Sequence, residues 1–431
     1  MKARMFSGTV GRVFMLLCAM YFIEYVDRVN LSVAAPLLKT ELSLSNTQLG
    51  LALSAFGYCY ALFQIVIGYA GDHFGPRRTL AFSGVLWATG TLLTGFTGGL
   101  VSLVLARLLV GLGEAGTIPT ATRAMSNWVP RIRRGFAQGF THSSARAAAA
   151  LTPPLMVAMI PLLGWRGAFV ALGCVSLAWV IVWYSYFRDD PRQHAGITAG
   201  ELAELPPYQG RTAHKDVPWL ALMRRILPVT LVFFAHAWTL WLYLSWLPSF
   251  FVGSYNIDLK SSALYTSAVF FAGVVGDTAG GLLTDYLYHR TGNLNASRRN
   301  VIVLSFAGSL TFLAGVMYFQ DQIVVTLCLA AALFLLEMAE GPIWAVPIDV
   351  APSHAGSAGG FLSTAAGVAA IISPAAFGYI TDLTGSYRPP FLLSIGLLLV
   401  GVVLAFRIRP DIPLNTSDIK ASSAGSVGVP S

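Results

Sequence analysis

Charge is scarce in this chain. Of its 431 residues only 11% are Asp, Glu, Lys or Arg, while 55% are hydrophobic. A soluble globular protein carries roughly 25% charged residues, so a water-covered fold is excluded. Intrinsic disorder needs the opposite balance and is excluded as well. Cysteine is scarce too. Cys18, Cys59, Cys174 and Cys328 each stand alone in an apolar run; they form no secreted disulfide framework and no metal-ligand spacing, and read as small buried hydrophobes. A Gly-x-x-x-x-Gly-Lys-Ser/Thr loop is missing, so ATP is not the energy source. No His-Glu-x-x-His motif or Cys pair suggests a metal, no cofactor is implied, and scattered Ser, His and Asp make no case for an enzyme.

What is present is apolar sequence in long runs. A bilayer core takes about 20 apolar residues per helix. Twelve stretches qualify: 12–38, 47–71, 79–98, 101–125, 135–160, 164–187, 226–252, 261–287, 300–319, 322–350, 355–382 and 390–409. The first has a basic lead but no small-residue cleavage site, and it is too long for a signal peptide. The expectation is an all-α membrane protein of twelve transmembrane helices in two pseudo-symmetric six-helix bundles, 1–187 and 226–409. A Pro-rich cytoplasmic linker at 188–225 joins them, and a Ser/Gly-rich tail at 410–431 reads as disordered. Of the 28 Lys and Arg, twenty fall on the side of the N-terminus, four (Lys39, Arg166, Lys260 and Arg388) on the other, and four within spans. That bias places both termini in the cytoplasm. It also explains the net charge of +8 through a basic face on anionic lipid, without nucleic acid.

Two inner loops echo each other. Gly68-Tyr-Ala-Gly71-Asp72-His73-Phe74-Gly75-Pro76-Arg77-Arg78 follows span two, and Gly281-Leu-Leu-Thr-Asp285-Tyr-Leu-Tyr-His289-Arg290 follows span eight. Each sets an Asp four residues after a Gly, with basic residues beyond. Small residues let helices approach, and the Asp can pair with a cation or a helix N-terminus. Asp72, Arg77, Arg78 and Asp285 are therefore expected to latch an inner gate. A structural repeat marks a rocking transporter whose site lies at the repeat interface.

Ionisable residues inside a membrane cost at least about 2.5–3.5 kcal/mol each near the centre, so they face cavities and pair. Asp27 and Arg28 lie deep in span one and point about 100° apart, so Arg28 can face the cavity while Asp27 faces a neighbouring helix. Arg107 and Glu114, seven apart on span four, share a face. A carboxylate whose cation turns to a substrate takes up a proton, which makes Asp27 and Glu114 candidates for proton coupling with Arg107 as switching partner; the rival reading is a static ion pair. Arg28 offers a planar fork to an anionic substrate, or else only neutralises Asp27. Tyr25 shares its face, and Tyr60 and Gln64 form a polar stripe on span two suited to an organic acid. On span five Arg146 lies about 16 Å in, near the midplane, with His142 one turn earlier. Arg146 is either a second substrate cation or the partner of Glu337 or Glu340, which share a face of span ten. His142 either titrates or is a hydrogen-bonded structural group. His236, Trp238, Trp241 and Tyr243 on span seven are pocket surface or core. Asp277 within span eight needs a partner.

The first inner loop matches the signature of the major facilitator superfamily. Within it the chain resembles the anion:cation symporter family over spans one to twelve. The resemblance is carried by Tyr25-Val-Asp27-Arg28-Val-Asn30-Leu-Ser32, Tyr60-Ala-Leu-Phe-Gln64, Arg107-Leu-Leu-Val-Gly111-Leu-Gly113-Glu114-Ala115-Gly116 and Gly164-Trp165-Arg166. It implies that the acids at the positions of Asp27 and Glu114 carry the proton, and that Trp344 and Ser363 form pocket wall. Gly341-Pro342 and Ser363 depart from the family pattern and argue against a heavily hydroxylated sugar acid. The expected function is import of an organic anion (carboxylate, sugar acid or aromatic acid) by symport with protons, or another cation, by a monomer in a bacterial inner membrane. Alternatives are an organic-anion exchanger or efflux antiporter of the same fold. A non-transporting membrane sensor fits less well, because the linker and tail hold no signalling domain.

Overall fold

The computed structural model describes residues 8–130, 134–208, 219–351, 355–412 and 414. The expectation of a disordered tail falls largely outside them. The described residues form fourteen α-helices and no strand. In chain order these are α1 (Gly8–Glu41), α2 (Asn46–Phe74), α3 (Pro76–Thr94), α4 (Leu100–Glu114), α5 (Thr117–Trp128), α6 (Arg134–Tyr186) and α7 (Ala199–Glu204). After the linker come α8 (Trp219–Tyr255), α9 (Leu259–Thr291), α10 (Asn300–Tyr318), α11 (Gln322–Met338), α12 (Glu340–Val350), α13 (Ala355–Thr384) and α14 (Phe391–Ala405).

Eight stretches are long and apolar enough to cross a bilayer by length and composition, and Phe391–Ala405 is a shorter apolar helix. Separating the two arms of α6 and adding α2, α3 and α14 gives twelve rods. The arms of α6 part at Gly164, whose φ of 67° is strained for any residue with a Cβ. Spans four and ten are each interrupted, at Ala115–Gly116 and at Ala339, so that α4–α5 and α11–α12 are broken helices. The chain is thus an all-α, twelve-span membrane protein. Helix α8 already includes Trp219, ahead of the expected 226, since Trp219-Leu-Ala-Leu-Met is itself apolar and Arg224-Arg225 do not break the helix.

Two compact units share the chain. One contains Met1–Ala213, Leu244–Ser267 and Pro374–Asp382; the other contains His214–Tyr243, Ala268–Ser373 and Leu383–Ser431. In the first, α1 and α3 pack on α6, and α2 packs on α4. The α2–α4 crossing is close at Gly111, where an added Cβ would collide with the Phe56 carbonyl oxygen. Aromatic rings tie α3 to α6: Trp87 to Trp179 at 5.4 Å, Trp179 to Trp183 at 5.5 Å and Trp183 to Phe187 at 4.1 Å. Just past the α6 kink, the Trp165 Nε1 and the Arg166 guanidinium both bond Glu41 at the end of α1, and Arg166 Nη2 also donates to the Thr97 carbonyl. This explains the Gly-Trp-Arg motif: the bend aims two donors at one carboxylate. In the second unit α10 packs on α11 and α14. There Tyr243 Oη donates to the Leu329 carbonyl, Ser373 Oγ donates to the Trp238 carbonyl, and Arg298 pairs with Asp349 at 3.0 Å.

The linker is fastened to the start of α1. Glu201 on α7 accepts from the N–H groups of Thr9 and Val10 at 2.7 and 3.2 Å, and Thr9 Oγ1 donates to the Gly196 carbonyl. Partial burial pulls the Glu201 carboxyl upward, but the N–H groups of Thr198, Val10 and Thr9 and the Thr198 hydroxyl outweigh it and hold it below the usual glutamate range. An acid lowered in the folded state stabilises its contact above its unfolded pKa, and that contribution is lost as pH falls through the lowered value. Amide protection at Thr9 and Val10 should therefore be full at neutral pH and fall in acid. Glu201→Ala should lower it at neutral pH by roughly fivefold, the size of a lost helix cap; protection unchanged in hydrogen exchange contradicts the contact. Gly111→Ala should force α2 from α4 and cost about 1–3 kcal/mol by overpacking, read as a lower Tm in detergent.

Candidate functional site

Helix α1 carries Glu24, Asp27 and Arg28, all buried, and the 3.6-residue turn sets Glu24 and Arg28 on one face. Arg28 Nη2 bonds Glu24 Oε1 at 2.5 Å, and Arg28 Nε bonds Glu114 Oε2, at the end of α4, at 2.7 Å. Both glutamates are fully buried and Arg28 is 6% exposed. Thr117 Oγ1, in the first turn of α5, lies 2.9 Å from Glu24 Oε1 and 2.8 Å from the Glu114 carbonyl oxygen, and its one proton serves either acceptor. The break after α4 thus places Glu114 and Thr117 together at the guanidinium. Aromatic rings surround the cation, with Tyr25, Tyr60 and Phe56 centroids 4.7, 4.9 and 5.5 Å from the Arg28 Cζ. Such contacts suit a desolvated guanidinium.

Asp27 points elsewhere. It accepts from Asn30 Nδ2 at 3.1 Å and from Ser176 Oγ, on α6, at 3.2 Å. It makes no ion pair with Arg28. Nor is Arg107 paired with Glu114: Arg28 takes that place, since Arg107 lies nearly two turns, about 10 Å, below Glu114 on the same helix. Arg107 Nη1 instead donates to the Asp27 carbonyl oxygen at 3.3 Å, its guanidinium lies 5.4 Å from the Phe56 ring, and its Nε is buried without a hydrogen-bond partner among the described residues. Gln64 is half-buried on α2. On α6, Arg146 is buried and His142 sits edge-on to Tyr21 at 5.6 Å. Glu24 is the member that sequence reasoning missed. Its signal was available: a Glu four residues before an Arg inside an apolar run.

The second unit has its own polar group. Trp344 Nε1 donates to Glu340 Oε1 at 3.1 Å, and His236 Nε2 lies 3.4 Å from Glu340 Oε2. The Phe233 ring stacks on His236 and meets Trp344 edge-on, each at 5.6 Å. Donor atoms of His236, Glu337 and Glu340 lie within 4.8 Å of one another, a set that could hold a metal ion. Sequence spacing carries no hint of it because the three come from α8, α11 and α12. Ser363 is half-buried on α13.

The loops read as gates behave differently. The Asp72 side chain lies outside the described residues. The Arg77 N–H donates to Asp189 at 2.8 Å, while its Nε and Nη2 donate to the Tyr184 carbonyl, so Arg77 fastens α3 to the end of α6. Burial pushes the Asp189 carboxyl above the usual aspartate value despite that N–H and the nearby arginines. Arg78 and Asp285 are exposed, and among the described residues Asp285 makes no ion pair.

Residues 17–359 match the model of the Major Facilitator Superfamily. The chain belongs to that superfamily. The protein is therefore a multi-pass membrane transporter and not an enzyme. It is 45% identical to a probable sulfoacetate transporter of Cupriavidus necator, over 94% of this chain and 95% of that one. It is 31% identical to a hexuronate transporter of Bacillus subtilis (95% and 97%) and 31% identical to a probable L-galactonate transporter of Escherichia coli (91% and 87%). In fold it is similar to a bacterial homolog of the human lysosomal transporter Spinster, solved inward-facing and unoccupied, with a TM-score of 0.75 at 15% identity over 96% of this chain and 98% of that one.

For this superfamily member the geometry sets a clear test of Arg28. Arg28→Lys keeps the charge but loses the planar pair of donors that meets both glutamates. Transport in whole cells should fall at least about tenfold, the cost of one charge-assisted hydrogen bond or more. Undiminished transport by a stably folded Arg28→Lys protein contradicts a role for the fork.

Proposed function

We propose that the protein imports a small organic anion, a carboxylate or sulfonate, together with protons across a bacterial inner membrane by alternating access, with both termini in the cytoplasm. The observation that carries this reading is the Arg28 guanidinium held between buried carboxylates. The names of the relatives support the substrate class, since sulfoacetate, hexuronate and galactonate all present an acid group to a cation. The bias of Lys and Arg toward one side supports the orientation.

The coupling follows from charge balance. A buried carboxylate deprived of its cation costs several kcal/mol. When an anion takes the guanidinium, Glu114 is relieved of that cost by accepting a proton, and the anion is relieved by Arg28. Proton and anion thus bind together, and each is poorly held without the other. Tyr25, Tyr60 and Gln64 provide hydroxyl and amide partners for the rest of the anion, Arg146 and His142 extend the polar surface on α6, and Trp344 and Ser363 belong to the second half's wall. Asp27, with Arg107 on its carbonyl, is a separate acid whose protonation bears on the α1–α6 contact through Ser176. Asp72, Arg77, Arg78 and Asp285 serve the inner gate. A monoanion entering with two protons carries one net positive charge inward and gains about 2.3 kcal/mol per 100 mV, whereas a dianion such as sulfoacetate entering with two is driven by the pH gradient alone.

Proteoliposomes with an imposed inward proton gradient should accumulate labelled sulfoacetate, and collapsing the gradient should leave only equilibration. Glu114→Gln should abolish uphill accumulation while sparing exchange. Accumulation that survives a collapsed gradient removes protons from the reading.

A further inference from the structure

The Nε and Nη2 groups of an arginine form one edge, a fork matched to the two oxygens of a single acid group. Elsewhere in this chain that edge is used so: Arg192 Nε and Nη2 together hold the one carboxylate of Asp190, at 3.0 and 2.7 Å. At Arg28 the same edge is split. Nε holds Glu114 and Nη2 holds Glu24. Each glutamate spends one oxygen on the fork, while Glu24 Oε2 and Glu114 Oε1 are buried without a hydrogen-bond partner among the described residues. One cation therefore faces two acids.

We propose that Glu24 is a second proton-carrying acid, sharing the Arg28 fork with Glu114, so that one carboxylate or sulfonate group entering the fork displaces both glutamates and brings in two protons. This rests on the anion-import reading above. One acid group fills both donors of the edge, so neither glutamate keeps its bond. Each displaced carboxylate then takes one proton from the side on which the substrate enters and becomes a neutral acid able to donate. On release both protons leave and the two carboxylates return to the fork. A monoanion carried this way moves one net positive charge, and a dianion moves none. The ionisable groups facing the pair are Tyr21, Tyr25, Asp27 and Arg28 on α1, Tyr60 on α2 and Arg107 on α4. From α6, His142 reaches Tyr21, and from α5 the neighbour is the Thr117 hydroxyl.

Calorimetric titration of the purified full chain with sulfoacetate and with galacturonate, across pH and in buffers of different ionisation enthalpy, counts the protons taken up. The slope of log Kd against pH should be one lower in Glu24→Gln than in the wild type, one lower in Glu114→Gln, and two lower in the double variant. A wild-type slope in Glu24→Gln overturns the proposal. If Glu24→Gln does not fold, the wild-type count decides: two protons taken up per sulfoacetate support the shared fork, and one proton overturns it. A wild type that binds neither probe, or binds without proton uptake, sinks the import reading itself, which the loss of one proton in Glu114→Gln alone would leave standing.

Discussion

A guanidinium cannot stay bare inside a bilayer. It must hold counter-charge or be hydrated, and the first unit is organised around meeting that demand for Arg28. Two carboxylates reach it from different directions, Glu24 from one turn earlier on α1 and Glu114 from the end of α4. The second approach depends on how closely α4 can lie. Gly111, one turn before Glu114, packs against the Phe56 backbone of α2, and Phe56 in turn lies against both Arg28 and Arg107. A larger residue there would move the aromatic wall together with the acid. The glycine-rich segment of span four is thus a packing device with an electrostatic purpose.

The two broken spans extend this logic. The break after α4 sets Glu114 and Thr117 at one level, on either side of Ala115–Gly116. The break at Ala339 sets Glu337 and Glu340 likewise, one at the end of α11 and one at the start of α12. Interrupted helices in matching positions of two halves are where transporters place polar chemistry. The halves use the device with different partners: in the first unit acids meet a guanidinium, and in the second they meet an imidazole and an indole. Trp344 therefore has its indole N–H committed to Glu340 and its ring set edge-on to Phe233.

Much of the fold was legible because the bilayer imposes one rule on every span. Apolar length located the twelve rods, and the kink in α6 coincides with a glycine that separates two runs. Boundaries were less legible. Helix α8 starts ahead of the expected 226 because Arg224 and Arg225 interrupt the hydropathy of Trp219-Leu-Ala-Leu-Met without interrupting the helical backbone. The site divided by the range of the interaction. Helical periodicity and the cost of buried charge grouped Tyr25 with Arg28, Tyr60 with Gln64 and Glu114 with Arg107, each pair on its own helix. Contacts between helices could not be read that way, because whether Arg28 or Arg107 meets Glu114 depends on the distance between α1 and α4. Glu24 needs no tertiary knowledge: it lies four residues before Arg28 on the same helix face, one residue before the motif that carries the resemblance. Arg77 shows the opposite limit. Its spacing marks a gate, yet its donors reach Asp189 and the Tyr184 carbonyl, partners brought near by the turn into the linker.

The separation of Asp27 from the Arg28 fork has a mechanical consequence. Neighbouring residues on a helix diverge by about 100°, so Asp27 bonds Ser176 on α6 while Arg28 bonds Glu114 on α4. Arg107 closes the loop between them, donating from α4 to the backbone carbonyl of Asp27 itself. Anything that draws Arg28 from Glu114 loosens α1 from α4 on one face, and anything that protonates Asp27 alters its hold on α6 on the other. A single turn of α1 thereby links the charge state around Arg28 to the packing of α1 on α4 and α6, through bonds made by two adjacent residues.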